Sequence, residues 1–161
     1  MDFAAEIVQL FDLIIAKLKN DRLFTQQLIM QIEESRLKTF LNELVSHKQK
    51  QEELFALLKE ECYKRRGKPS QEVKESLRAL VECCCLNPAQ EETNPNHLLK
   101  DCIRHLLLVL KDNVAFYTGL KAFFCDKKTK QVVNKLIEEE LTYLSQLYDF
   151  WEEQISLTQK N

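Results

Sequence analysis

Lys48, Gln51, Asp112, Glu140 and Tyr143 are polar residues set at helical spacing inside apolar stretches. Leu37, Leu41, Leu44, Lys48, Gln51, Phe55 and Leu58 recur three and four residues apart, so they line one face of a helix. Val133, Leu136, Glu140, Tyr143, Leu147 and Phe150 do the same further on. His105, Val109, Asp112 and Phe116 form a third run, with Asn113 beside Asp112, and Asp21 and Thr25 lie between Leu18 and Leu28 in a fourth. An unpaired buried polar group costs roughly 1–3 kcal/mol, so such residues rarely persist in a core without partners. Three arrangements fit the pattern. The helices are rotated and the charges face water; or a polar layer crosses the core, with Lys48 paired to Glu140 and Gln51, Tyr143 and Asp112 hydrogen-bonded nearby; or the residues hold a metal.

Two further pairs have metal-ligand spacing. Glu43 with His47 and Asp101 with His105 are each four residues apart, on one helix face. Such pairs also arise by chance in helices this rich in charge. The six cysteines lie at 62, 83, 84, 85, 102 and 125, with no Cys-x-x-Cys pair among them. Cys83, Cys84 and Cys85 would point about 100° apart on a helix, so their sulfurs diverge; buried small side chains with one exposed thiol fit better than a metal cluster. A thiol redox sensor at Cys83 to Cys85 would need an exposed cysteine of low pKa. Two glycines cannot build a phosphate-cradling loop, and no local signature supports a Ser/His or Cys/His nucleophile. Tyr148, Phe150 and Trp151 make one end of their helix aromatic, which suits core packing or a dimer contact.

These residues need long helices to position them, and the composition provides for that. Of 161 residues 45% are hydrophobic, while only two are glycine and three proline. Strand-rich folds lean on those two residues for their many turns, so the expectation is an all-α chain. Apolar periodicity marks four long helices, about 3–32, 37–63, 97–124 and 129–155, with a shorter pattern at Val73, Leu77, Leu80 and Val81. Pro69-Ser70 opens that short helix and Asn87-Pro88 closes it. Short joins make each long pair an antiparallel hairpin. One domain follows: a first hairpin at about 3–63, a crossover at about 64–96 and a second hairpin at about 97–156.

The two hairpins are an internal repeat. A shift of 92 residues places Leu18-Lys19-Asn20-Asp21 on Leu110-Lys111-Asp112-Asn113, Phe24 on Phe116, Leu28 on Leu120, and Leu41 on Val133 without a gap. Under the same shift Lys48 falls on Glu140 and Gln51 on Tyr143.

This layout resembles the ferritin-like superfamily, most closely its rubrerythrin-type domain. The run from Lys128 to Leu144 is similar to that family's fourth helix, and Leu110 to Tyr117 to its third. The resemblance spans roughly residues 7–62 and 98–155. It implies an antiparallel four-helix bundle in which two carboxylate-bearing helices and two Glu-x-x-His helices hold two metal ions. Carried over, the ligand set fails. Glu140 stands at the fourth helix's glutamate, but Tyr143 replaces the histidine, and Lys48 and Gln51 replace the second helix's pair. Asp112 replaces a glutamate, and Asp21 or Asn20 is ambiguous. On this reading the di-metal centre is lost and the Lys48 ammonium supplies the charge it once gave.

The net charge of −2 favours neither nucleic acid nor an anionic membrane as partner. The basic run from Lys64 to Lys68 reads as a solvated helix end. No basic segment precedes an apolar one at the amino terminus, and no stretch is apolar enough to span a membrane, so the expectation is a cytoplasmic protein with reduced cysteines. The leading expectation for function is a non-catalytic bundle with no cofactor, acting as a homodimer or with another protein partner. The alternative is a di-metal carboxylate protein, binding iron or manganese as an oxidase, peroxidase or metal store.

Overall fold

The computed structural model describes residues 3–64, 75, 98–122, 124 and 127–159. They form four helices: α1 (Phe3–Gln31), α2 (Ser35–Lys64), α3 (Leu98–Lys121) and α4 (Lys127–Gln159). There is no strand among the described residues. All three prolines lie outside these helices, and Gly119 is in the last turn of α3, so no breaker interrupts a helix interior. Of the short helix expected between Pro69 and Pro88 only Glu75 is described, and it is helical; the Cys83–Cys85 run lies outside the described residues. The chain divides into two compact units, Met1–Cys85 and Leu86–Asn161.

In the first unit, residues 32–34 turn the chain between α1 and α2. Glu34 caps α2: its carbonyl accepts from Lys38 N–H, and its carboxylate accepts from Arg36 N–H at 2.9 Å and Leu37 N–H at 2.5 Å. Two of the amide donors orphaned at a helix start are thereby satisfied, and the negative charge suits the positive end of the helix dipole. The two helices pack along one another: Phe11 meets Phe55 with ring centroids 6.2 Å apart, Lys59 bonds Asp12, and Arg22 bonds Glu52. Phe11, Ile14, Leu18, Leu28 and Ile32 of this hairpin are buried, with Leu37, Phe40, Leu41, Leu44, Phe55 and Leu58. Each fully buried Leu or Phe side chain contributes about 1.5–3 kcal/mol relative to exposure.

The second unit repeats the plan. α3 closes with Ala122 N–H on the Gly119 carbonyl, a tightened last turn. α4 starts at Lys127, which is 92 residues beyond the start of α2 at Ser35. Burial follows the same shift: Phe11, Ile14, Leu18 and Leu28 correspond to the buried Ile103, Leu106, Leu110 and Leu120. On the following helix Leu41, Leu44, Lys48 and Phe55 correspond to the buried Val133, Leu136, Glu140 and Leu147. The repeat in the sequence is thus a repeat of which face of each helix is covered.

Candidate functional site

The seam of α2 is apolar from Leu37 to Leu44 and again from Phe55, with His47, Lys48 and Gln51 buried between. Helical geometry puts these three within one turn of each other. The side-chain amide nitrogen of Gln51 faces Nε2 of His47 at 2.9 Å. An amide N–H can only donate, so the imidazole Nε2 accepts. Lys48 is 1% exposed and is not without a partner. That follows from the cost of removing an ammonium from water, which amounts to several kcal/mol if uncompensated. In α1 the facing turn carries Thr25, buried with its hydroxyl donating to the Asp21 carbonyl, and a half-buried Asp21 carboxylate that accepts from Lys17 at 2.8 Å. At the border of this hairpin Arg22 grips Glu52 with two nitrogens, at 2.6 and 3.3 Å. That hydrogen bond, more than the carboxylate's field, raises the Arg22 guanidinium pKa further.

The second unit has its own polar pair. Glu140 on α4 is 0% exposed, and its Oε2 accepts from Nδ2 of Asn113 on α3 at 3.2 Å. Asn113 is buried because Leu106, Leu110, Asn113, Tyr117 and Leu120 form the covered seam of α3. This corrects the expected seam of His105, Val109, Asp112 and Phe116: Asp112 is exposed, His105 and Val109 are half-buried, and only Phe116 is covered. Neighbouring positions differ by 100° around the axis, and the leucines fix the register at Asn113. Tyr143 is half-buried. Lys48, Gln51 and Glu140 lie in the seams that carry them in the sequence.

The two candidate metal pairs differ in exposure. Glu43 is exposed, whereas His47 is buried with its Nε2 engaged by Gln51. Asp101 and His105 are both half-buried on α3. No three His, Cys, Asp or Glu side chains cluster as a metal-holding group among the described residues. In the sequence His47 has the spacing of a metal pair with Glu43, and it also lies one residue before Lys48 and four before Gln51, which is its place in the seam. Beside Asp101, Cys102 is a buried free thiol. Burial first, and the Asp101 carboxylate second, push its pKa above the ordinary 9.0.

The donor set can be tested against a di-metal centre. Dications in a bundle core need several carboxylates to offset their charge. Glu140 is the only buried carboxylate among the described residues, and the buried polar residues of the first unit, Thr25, His47, Lys48 and Gln51, include none. A fixed ammonium repels a dication and offers no lone pair. These residues do not fit such a centre.

No family model, curated protein or solved structure matches the chain. No described helix is long and apolar enough to cross a membrane.

Proposed function

We propose that this chain is a ferritin-like helical bundle without a metal centre, working as a non-catalytic protein–protein interaction module. The observation that carries this reading is the burial of Lys48 at the middle of the α2 seam, where the resembled family would place a glutamate. Within each unit one buried polar pair is joined, Gln51 donating to His47 in the first and Asn113 to Glu140 in the second. Buried polar pairs of this kind favour one register of their own hairpin over others.

The test is the metal content of protein purified without chelator or a metal-binding tag, before and after incubation with ferrous iron. The expected result is no stoichiometric metal in either sample. About two equivalents of iron or manganese per chain would overturn the reading and put a di-metal oxidase, peroxidase or metal store in its place.

A further inference from the structure

Two apolar stripes run along α4. The first is the covered seam through Val133, Leu136, Glu140 and Leu147. The second lies one residue further round: Ile137, Leu141, Leu144, Tyr148, Trp151 and Ile155, spaced four, three, four, three and four apart. That alternation is the heptad spacing of a helix-pairing seam. Leu141 and Tyr148 are 47% and 49% exposed, and the other four are half-buried. No other described helix carries an apolar run of that length free of buried residues.

The hairpin itself does not require this stripe. In α2, 92 residues earlier, Gln49, Glu52 and Lys59 stand where α4 has Leu141, Leu144 and Trp151. There Glu52 and Lys59 bind Arg22 and Asp12 across the flank of the first hairpin. Val45, Ala56 and Tyr63 stand at the other three positions, so the stripe is broken by three polar residues in α2 and by none in α4.

Charge identifies what covers it. The first turn of α4 holds Lys127, Lys128 and Lys130 and no acid; its far end carries Asp149, Glu152 and Glu153, and no base lies in the last turn. This order opposes the helix dipole, which favours acids at the start and bases at the end. A second α4 laid antiparallel brings each basic start alongside an acidic end, and the arrangement is self-complementary about a two-fold axis.

We propose that the second stripe of α4 is a homodimer interface, in which α4 pairs antiparallel with α4 of a second copy. The proposal rests on the interaction-module reading and names its partner. With Leu141 against Leu144 of the second copy, Lys130 comes within about one helical turn of the second copy's Glu152.

Sedimentation velocity of the full chain, over the micromolar to millimolar range, tests it. Wild type should be a dimer. L141E/Y148E, at two exposed positions, should weaken association roughly 100-fold while keeping its helical circular dichroism. K127E/K130E should also weaken it at low salt, and adding D149K/E152K to that variant should restore it, because only antiparallel pairing sets the exchanged ends against each other. A wild type that stays monomeric, or a dimer untouched by L141E/Y148E, overturns the proposal. Neither result bears on metal content, so the module reading is judged separately.

Discussion

The side-chain amide of Asn113 donates to the Glu140 carboxylate across 3.2 Å, from α3 to α4, with both residues buried. A buried carboxyl that loses its hydrogen-bond partner keeps its desolvation cost without compensation. Asn113→Leu is therefore expected to destabilise the chain by about 2 kcal/mol, read from urea unfolding. Asn113→Asp is the sharper variant, since it sets a second carboxyl against Glu140. Like charges raise the pair's pKa in the folded state, so stability is intact below the unfolded carboxyl pKa and falls as pH rises through the folded one. An Asn113→Asp variant that loses less stability relative to wild type at neutral than at acid pH would sink the assignment.

Arg22 and Glu52 tie α1 to α2 through two nitrogen–oxygen contacts, with side chains 20% and 16% exposed. Partial exposure screens the pair, so a double-mutant cycle with Arg22→Ala and Glu52→Ala should give a coupling of only about 0.5–1 kcal/mol. Arg22→Lys should lose most of it, because an ammonium cannot reproduce the planar two-point grip. The coupling should shrink at high salt. An undiminished coupling in concentrated salt would mean that packing of the Arg22 stem, not charge, joins the helices.

How much of this was legible in the sequence depends on how strongly each position was framed by leucine. Lys48 and Glu140 lie four residues beyond Leu44 and Leu136, in seams with apolar residues on both sides, and their burial rules out the arrangement in which these two charges face water. Asn113 was obscured by the neighbouring Asp112. Charge drew attention to the aspartate, although Leu106 and Leu110 pointed to the asparagine. The helix starts show a similar limit. Ser35 is the residue type usually found at a cap, yet it lies inside α2 and Glu34 does the capping. A longer side chain can reach back to the same amides, and residue preference alone does not reveal that.

Glu34 therefore makes a prediction of its own. Glu34→Ala removes the acceptor for Arg36 and Leu37 N–H together with a favourable charge at the helix start, for a loss of about 1 kcal/mol. Ser35→Ala should change stability by less than about 0.5 kcal/mol. Thermal or urea unfolding of the two variants separates the alternatives. If Ser35→Ala is the more damaging, the cap has been assigned to the wrong residue.

Cys102 is buried beside Asp101, and both burial and that carboxylate hold its thiol protonated above the ordinary 9.0. Thiolate is the reactive form, so at neutral pH Cys102 should alkylate with iodoacetamide far more slowly in folded than in unfolded protein, read by peptide mass spectrometry. The raised value also links to stability. Below the unfolded thiol pKa both states are protonated and nothing is lost. Above it the unfolded chain sheds the proton first, the folded state binds more protons, and stability declines until the folded thiol ionises as well. Replacing Cys102 by alanine should flatten that decline from about pH 9 upward, with the difference between the two curves isolating this thiol from the other five. Parallel curves for wild type and Cys102→Ala across the alkaline range would show that the thiol ionises equally in both states, and that α3 opens to water at this turn.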